Sequence, residues 1–374
     1  MPTTSLPAIH QGIPLAGLTT LGAGGPARYL ARCTSQAELL AALAWAREHR
    51  LATFVLGGGS NLLVADAGFD GLVLQLASRT MELEPMDELV RVRAGAGLGW
   101  DTLVARTVAE GLAGLECLSG IPGRVGAAPI QNVGAYGQEV SDSLEAVHVV
   151  DRSSGQAETL AAAQCGLGYR SSHFKLRWPE RYVITGVDFL LPRRPQGSVR
   201  YPELRRHLGL PADPTGHLDP PLAEVRQAVL EVRRGKSMVL RPGDENRRSA
   251  GSFFVNPVVP PVQAERIHHL AEELGDRPMP AFPAPGGQVK LSAAWLIEAA
   301  GFPRGYQLGA AGISSRHTLA LINHGGATAA DLIALARLIR QRVAERFGVT
   351  LEPEPCLLGY PGGWKAALAE PGPL

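Results

Sequence analysis

The residues best suited to chemistry lie in one glycine-rich run between Gly114 and Glu139. Glycine permits a positive φ and leaves no side chain between a backbone N–H group and an anion, whereas proline fixes φ. The residues between the glycines are largely apolar and favour burial, which argues against an ordinary surface turn. The run is therefore predicted to be a shaped loop against a large ligand. Its glycines and prolines are Gly120, Pro122, Gly123, Gly126, Pro129, Gly134 and Gly137.

A second glycine cluster, Gly57-Gly58-Gly59-Ser60-Asn61, lies between two short apolar runs. Bare N–H groups beside short polar side chains suit a diphosphate, although a tight turn has the same composition. Two such loops in one chain favour a dinucleotide. The sequence Gly22–Ala27 formally matches a G-x-G-x-x-A fingerprint, but Pro14 and Pro26 interrupt the strand and helix it needs. A Rossmann dehydrogenase is therefore disfavoured.

Apolar patterning predicts the elements that position these loops, and they mix both types in an α+β arrangement. A capping box at Ser35 and Glu38 predicts a helix to about Arg50, and another at Thr328 and Asp331 begins a helix that Gly348 ends. Further helices are predicted at 101–111, 222–234 and 289–300, and strands at 54–56, 62–64, 72–76, 90–94, 147–150 and 182–191.

Composition shifts suggest five segments, with boundaries at 1–78, 79–196, 197–221, 222–360 and 361–374. The first two are interpreted as subdomains around the glycine loops, and the fourth as a separate domain that ends on a strand near 350–360. The proline-rich stretch from Arg193 to Pro221 is interpreted as a connection or mobile insertion rather than a core element. The segment after Tyr360 is expected to be a poorly ordered tail.

Composition excludes several classes of protein. Of the 374 residues, 45% are hydrophobic and 19% charged, which is typical of a globular chain with more than one core. The net charge of +1 gives no general attraction to nucleic acid or anionic membranes. The N-terminus lacks signal-peptide features, no run is long enough to span a membrane, and the four cysteines have no paired spacing. We therefore predict a cytoplasmic protein with free thiols and no metal.

Six motifs, in order along nearly the whole chain, make the sequence resemble the UDP-N-acetylenolpyruvoylglucosamine reductase family. They are Gly57–Val64, Gly120–Glu139, Gly168–Lys175, Ala250–Pro257, Lys290–Ile297 and Leu351–Glu354. The resemblance implies a two-subdomain FAD-binding module of the vanillyl-alcohol-oxidase/PCMH type followed by a C-terminal α+β substrate-binding domain. It also implies FAD and NADPH as cofactors and a UDP-sugar enolpyruvyl ether, a peptidoglycan precursor, as substrate. We expect a monomer.

The resemblance assigns three catalytic residues. Ser252 is expected to protonate the carbon left basic by hydride addition, Arg170 to meet the substrate carboxylate, and Glu354 to lie near the enolate. Substrate contacts are expected from Tyr169, Tyr201, Lys236, Asn256, Lys290 and His317, with Tyr201 on a loop that closes as a lid. Cofactor contacts are expected from Gly57, Gly58, Gly59, Ser60, Asn61, Ser119, Gly120, Ile121, Pro122, Gly123, Gly126, Gln131, Asn132, Gly134, Ala135 and Tyr136.

Two positions depart from the family pattern. Phe282 stands where a substrate-contacting tyrosine is expected, and His317 where a glutamine is expected. Loss of the phenol hydroxyl would remove one phosphate hydrogen bond. Two other functions stay open at this point, namely a different FAD oxidoreductase that shares the flavin-binding fold and a silent nucleotide-binding protein. The motifs around Ser252 and Glu354 argue against the first, and joint retention of Arg170, Ser252 and Glu354 argues against the second.

Overall fold

A computed structural model describes residues 5–213, 215, 219–273, 275 and 277–369. The chain divides into two compact units, each assembled from separate stretches of sequence. The first takes the chain up to Ile13, Ala27–Gly59 and Asp70–Leu240, and the second takes Pro14–Pro26, Ser60–Phe69 and the chain from Arg241 onwards. The units are thus discontinuous, unlike the contiguous segments predicted from composition, because residues 14–26 and 60–69 pack with the C-terminal part.

The first unit is built on two sheets. A four-stranded sheet has the order Ile9–Pro14, Pro26–Cys33, Phe69–Leu76, Ala52–Val55, and a five-stranded antiparallel sheet has the order Ala157–Ala161, Leu144–Asp151, Tyr182–Pro192, Leu89–Gly95, Met81–Met86. A small hairpin pairs Gly134–Ala135 with Gln138–Glu139. Its helices are Gln36–Glu48, Trp100–Ala109, His173–Leu176, Pro202–His207 and Leu222–Gly235, and short 3-10 turns span Glu116–Leu118, Val125–Gln131, Val140–Asp142 and Ala162–Cys165.

Local sequence signals explain these elements. The Ser35 side chain accepts the Glu38 amide at 3.2 Å, so the predicted N-cap and helix are confirmed. The reciprocal half of the predicted capping box differs, because the Glu38 carboxylate accepts the Thr34 amide at 2.6 Å. In the strand Leu89–Gly95 the apolar Val90 and Val92 are buried. Arg91, on the opposite face, pairs with Glu145 at 2.6 Å. The predicted half-exposed strand is confirmed, and its buried face forms the core beneath the glycine-rich run.

The prediction that the stretch 193–221 contributes no core element is wrong. Its described residues include the helix Pro202–His207, and Val199 and Leu204 are fully buried against the helix Leu222–Gly235. The buried Arg205 guanidinium donates to the carbonyls of Val199 and Pro211, both at 2.6 Å. A buried arginine must satisfy its donors, and here they fasten the backbone on both sides of the helix Pro202–His207.

The second unit contains small sheets around a long helix. Its strands are Leu62–Val64, Val258–Val259, Ala281–Ala284, Gln288–Leu291, Gln307–Leu308, Ala311–Ile313, Leu321–Asn323 and Cys356–Leu358, its helices are Pro261–Glu273, Ala293–Ala299, Ala329–Phe347 and Gly363–Ala367, and 3-10 turns span Ala16–Leu18 and Pro285–Gly287. The last long helix is as predicted, with the Thr328–Asp331 capping box and Gly348 at φ 65°. Its apolar stripe lies in the core.

Two predictions for this unit need correction. The predicted helix 289–300 is a strand in its first part, since Val289 pairs with Val259 and Pro283, and helix begins only after Ser292 caps Trp295 N–H at 3.3 Å. The tail after Tyr360 is not unstructured throughout. Trp364 lies on the helix Gly363–Ala367 and packs its ring on that of Phe253, with centroids 5.6 Å apart. One large aromatic residue anchors a segment whose glycines and prolines indicated disorder.

The first and last parts of the second unit meet in a parallel strand pair. Leu62, Leu63 and Val64 align with Cys356, Leu357 and Leu358. The predicted strand 62–64 is confirmed, and the strand predicted near 350–360 begins two residues after Glu354. None of the described helices is long and apolar enough to cross a membrane.

Candidate active site

In the glycine cluster Gly57–Asn61, two neighbouring backbone N–H groups are available to a ligand. Within the part of the chain that the structure describes, the partly exposed amides of Gly57 and Gly58 donate to no acceptor of the protein. A Cβ atom on Gly58 would lie 2.7 Å from the Cα of Gly123, so this cluster packs directly against the glycine-rich run between Gly114 and Glu139. Gly59 has φ +62°, which favours glycine. Neighbouring free N–H groups without side chains fit a diphosphate, as the family's FAD requires.

Ser60 and Asn61 continue the loop into the second unit. There the Asn61 side-chain amide donates to the Glu354 carbonyl at 3.4 Å, and the Asn61 carbonyl accepts the Cys356 amide at 2.9 Å. The loop residue predicted to contact cofactor is therefore tied to the backbone that carries a predicted catalytic residue. This tie lies wholly within the second unit.

Several residues of the glycine-rich run between Gly114 and Glu139 use their polar groups within the protein. The Gly120 amide donates to Asp101 Oδ1 at 2.6 Å, and the Gly126 amide donates to the Ala96 carbonyl at 3.0 Å. The Ser119 hydroxyl donates to the Glu116 carbonyl at 2.6 Å. These three predicted cofactor residues therefore shape the loop, and the donors named here are already used within the protein.

The middle of the run opens onto space. Ile121, Pro122 and Gly123 line a cavity of about 420 Å³ with Trp100 and Asp101, where the helix Trp100–Ala109 begins. Among the other predicted cofactor residues, Gln131 is partly exposed, and Gly134 and Ala135 pair with Glu139 and Gln138. The assignment of a ligand to these residues rests on the family resemblance.

Arg170 lies in a turn that the glycine run holds. Gly168 and Ser171 exchange backbone hydrogen bonds at 3.0 and 3.1 Å, and between them Arg170 adopts φ 53°. The Arg170 guanidinium donates to the Gly134 carbonyl at 2.9 Å and stacks 5.6 Å from the Tyr169 ring centroid. A non-glycine residue at positive φ is strained, which is common at functional sites.

Tyr136, Tyr201 and Lys236, all predicted site residues, come together in the first unit. The two tyrosine rings meet edge to face with centroids 5.5 Å apart, and Lys236 Nζ lies 5.9 Å from the Tyr136 ring centroid. Lys236 also pairs with Glu203 at 2.6 Å. Burial raises the pKa of Tyr136 to about 12 and also raises the pKa of Tyr201, so both phenols stay protonated at neutral pH.

Sequence reasoning missed the residues that hold this cluster. Arg233 is only 7% exposed, and its guanidinium donates to the carbonyls of Met238 at 2.8 Å and Gly120 at 3.4 Å. Arg226 clamps Asp101 with two hydrogen bonds of 2.6 and 2.9 Å. Both arginines lie seven residues apart on the apolar face of the helix Leu222–Gly235, a spacing that could have revealed them.

In the second unit the structure brings Ser252 and Glu354 onto neighbouring backbone. Phe253 and Phe254, directly after the partly exposed Ser252, are buried at 0% and 1% exposure. The Phe253 carbonyl accepts the Glu354 amide at 2.8 Å. No other described residue hydrogen-bonds to the Ser252 hydroxyl. The two aromatic anchors thus fix the serine backbone and leave its hydroxyl available to a ligand, and Glu354 is held beside it.

The remaining predicted substrate residues also lie in the second unit. Asn256 Oδ1 accepts the Ala293 amide at 2.9 Å, so this side chain begins the helix Ala293–Ala299. Lys290 Nζ lies 5.9 Å from the ring centroid of Phe282, which is paired with Lys290 across the sheet and is 45% exposed. The His317 amide donates to the Ser314 hydroxyl at 3.3 Å.

Comparison with known proteins first defines a class. Residues 27–161 match the family model described as FAD binding domain, and residues 242–358 match UDP-N-acetylenolpyruvoylglucosamine reductase, C-terminal domain. Together with the mixed sheets and helices, these matches confirm the α+β class and define a flavoprotein with an FAD-binding module and a separate C-terminal domain.

Full-length relatives then define the family. The chain is 51% identical over 353 residues to UDP-N-acetylenolpyruvoylglucosamine reductase of Thermobifida fusca, covering 93% of this chain and 98% of the relative. It is 46% identical to the enzyme of that name from Streptomyces coelicolor over 96% of this chain and 93% of the relative. The crystal structure of the Thermus caldophilus reductase superposes with a TM-score of 0.65 and 29% identity, covering 94% of this chain and 100% of that one. The chain belongs to the UDP-N-acetylenolpyruvoylglucosamine reductase family.

Proposed function

We propose that this protein reduces UDP-N-acetylglucosamine enolpyruvate to UDP-N-acetylmuramate with NADPH, a step in peptidoglycan precursor synthesis. The observation that carries the proposal is the arrangement at Ser252, whose hydroxyl has no hydrogen-bond partner among the described residues while buried Phe253 and Phe254 fix its backbone beside that of Glu354. Relatives of this name match the chain over nearly its whole length, which supports the same conclusion.

The free N–H groups of Gly57 and Gly58 would hold the FAD diphosphate, and the run around Ile121–Gly123 would contact the rest of the cofactor. When bound, FAD supplies hydride chemistry, receiving hydride from NADPH and passing it to the enolpyruvyl double bond. The protein's part is to bind both nucleotides, to orient the enolpyruvyl group and to deliver a proton.

Each catalytic residue then has a distinct role in the proposal. The Arg170 guanidinium faces the substrate carboxylate, because its planar donors match a carboxylate and stay charged as negative charge accumulates there. Ser252 Oγ–H gives its proton to the strongly basic carbon next to that carboxylate, which makes so weak an acid competent. Glu354 lies near the enolate and keeps the groups around it in position through hydrogen bonds. Lys236, Tyr201, Lys290, Asn256, Tyr169 and His317 bind the nucleotide sugar.

The decisive experiment is NADPH oxidation by the purified FAD-loaded protein, with and without UDP-N-acetylglucosamine enolpyruvate. We expect consumption that depends on the enolpyruvyl nucleotide and a product that carries the lactyl ether. Rapid oxidation indifferent to this nucleotide would instead indicate another flavin oxidoreductase. A protein that stays colourless after incubation with FAD would overturn any flavin reaction.

A single substitution tests the proton donor. Ser252→Ala should leave flavin reduction by NADPH intact and slow substrate reduction by roughly 10²-fold or more. Ser249→Ala is a matched control, since Ser249 lies three residues earlier and its side chain only accepts the Gly251 amide at 3.4 Å. Near-normal turnover of Ser252→Ala would remove serine from the acid role.

We also propose that the protein works as a monomer in the cytoplasm. Light scattering of the FAD-loaded protein over a range of concentrations tests the first point, and a mass twice that of the 39.6 kDa chain would contradict it. Fractionation of cells that produce the tagged full-length chain tests the second.

A further inference from the structure

Asn132 lies in the middle of the glycine-rich run, and both polar atoms of its side chain are engaged within the first unit. The side chain is fully buried. The amide nitrogen Nδ2 lies within hydrogen-bond distance of Glu139 Oε2 at 2.7 Å, Ser141 Oγ at 3.2 Å and the Gly168 carbonyl at 3.2 Å. Oδ1 accepts the Ser141 amide at 2.9 Å. The Asn132 side chain is thus used within the protein rather than by a cofactor.

The Gly168 carbonyl that lies next to Asn132 Nδ2 also accepts the Ser171 amide, and this second bond closes the turn that carries Arg170. Gly168 and Ser171 are the two ends of that turn, and Arg170 within it has φ 53°. Such a conformation costs free energy for arginine, so the surrounding contacts must hold it. Asn132 itself adopts φ 48°, a conformation that asparagine tolerates better than most residues.

Two further contacts join the same two segments. The Ser172 hydroxyl donates to the Ile130 carbonyl at 2.5 Å, and the Arg170 guanidinium donates to the Gly134 carbonyl at 2.9 Å. Residues 130, 132 and 134 of the run thus form hydrogen bonds with residues 172, 168 and 170, respectively. Of these three contacts, only that of Asn132 comes from a side chain of the run, so it is the one that a substitution within the run removes.

We propose that Asn132 is a positioning residue for Arg170: its side-chain amide holds the Gly168 carbonyl and thereby keeps the arginine turn in the conformation that presents the guanidinium to the substrate carboxylate. This proposal rests on the proposed function for the identity of that carboxylate. It reassigns Asn132 from the cofactor to the anion-binding arginine.

The test compares two ligands that differ in the carboxylate. UDP-N-acetylglucosamine enolpyruvate carries it, and UDP-N-acetylglucosamine does not. Binding of each to the oxidised FAD-loaded protein is followed by the change in flavin absorbance. In Asn132→Asp the Oδ1 acceptor and the tolerance for positive φ remain, but the donor to Gly168 is lost. We expect affinity for the enolpyruvyl nucleotide to fall roughly 10-fold, with little change for the nucleotide sugar or for FAD.

Asn132→Gly keeps the backbone conformation and removes the side chain. It therefore separates loss of the amide donor from any folding defect that the new carboxylate of Asn132→Asp causes beside Glu139. Ser141→Ala is the matched control, because it removes an alternative partner of Asn132 without touching Gly168. The double variant Asn132→Gly/Arg170→Ala should bind the enolpyruvyl nucleotide no more weakly than Arg170→Ala alone.

A second readout does not depend on the reaction. Hydrogen exchange of peptides spanning 168–172 should accelerate in both Asn132 variants and stay unchanged in Ser141→Ala. Equal loss of affinity for both nucleotides, loss of FAD affinity alone, or unchanged exchange at 168–172 would each overturn the proposal. If the wild-type protein does not reduce the enolpyruvyl nucleotide, the proposed function fails, while the exchange measurement still decides whether Asn132 holds the turn.

Discussion

The amide of Glu354 donates a 2.8 Å hydrogen bond to the carbonyl of Phe253, the residue that follows Ser252. One backbone contact therefore sets the spacing of two predicted catalytic residues that lie about a hundred positions apart in sequence. The Phe253 ring is covered by Trp364, whose indole N–H donates to the Pro355 carbonyl at 2.6 Å. The last described helix thus supports both backbone segments of this contact.

Shortening Trp364 should loosen that contact. We expect Trp364→Ala to lower the free energy of unfolding by about 2 kcal/mol because a partly buried ring is lost. Trp364→Phe should cost about 1 kcal/mol because it keeps a ring and loses only the hydrogen bond to Pro355. Urea denaturation followed by fluorescence and by circular dichroism measures both. Lys365→Ala, at an exposed position on the same helix, should have no effect, and an equal effect of all three substitutions would contradict this account.

Removal of the buried Arg233 guanidinium should weaken cofactor binding. Arg233→Met removes the donors to Gly120 and Met238, so the carbonyl of Gly120 loses its buried partner. We expect roughly a 10-fold rise in the dissociation constant for FAD, measured by flavin fluorescence. Arg234→Met is the matched control, because Arg234 is the exposed neighbour on the same helix. Equal FAD affinity in the two variants would show that Arg233 acts only on stability.

Glu203 should compete with the nucleotide for Lys236. The two side chains pair at 2.6 Å and are each about one-third exposed. Glu203→Gln should therefore release the ammonium group and tighten UDP binding by roughly two- to fivefold, whereas Lys236→Met should weaken it by roughly 10-fold. Calorimetric titration of UDP into the FAD-loaded protein gives both values. Glu224→Gln, at an exposed site on the helix Leu222–Gly235, should leave the affinity unchanged. Weaker binding in Glu203→Gln would show that the pair itself is part of the site.

Asp101 should make folding depend on pH. Burial opposes its ionisation, but hydrogen bonds from Arg226 and the Gly120 amide outweigh burial and lower the pKa of Asp101. A carboxyl group whose pKa is lowered on folding stabilises the protein above its unfolded pKa of about 3.9, and that stabilisation disappears as pH falls through the folded pKa. Wild-type protein should therefore exceed Asp101→Asn in stability at pH 6 by about 1 to 2 kcal/mol and lose this lead as the pH falls through the lowered pKa of Asp101.

Denaturation curves at several pH values test this dependence. Asp70→Asn is the control, since Asp70 pairs with Arg28 at a site where both side chains are more than half exposed. A pH-independent difference between wild type and Asp101→Asn would contradict the assignment of the lowered pKa to the ion pair.

Local sequence signals predicted much of the fold. The N-cap at Ser35, the capping box at Thr328, the stop at Gly348 and the alternation around Val90 each depend on neighbours within a few residues, and the structure has all of them. Predictions failed where a distant contact decides the outcome. Val289 is in a strand because Val259 and Pro283 pair with it, and Trp364 orders the tail because Phe253 lies beneath it.

The candidate site shows the same division. Motifs pointed to Arg170, Ser252 and Glu354, but they gave no reason to expect Asn132 to hold the arginine turn or Arg233 to hold Gly120. Both supporting residues are buried polar groups whose partners come from other elements. Sequence patterning can indicate that a polar residue is buried, whereas its partners are set by packing.

The parallel pairing of Leu62–Val64 with Cys356–Leu358 constrains how the protein is made. A ribosome delivers residue 62 long before residue 356, so the short strand must wait with its edge unpaired until residues 356–358 have been synthesised. The second unit cannot be completed before that point, and a fragment that starts at Arg241 would lack a strand it needs. Any attempt to produce this unit alone has to supply residues 14–26 and 60–69 as well.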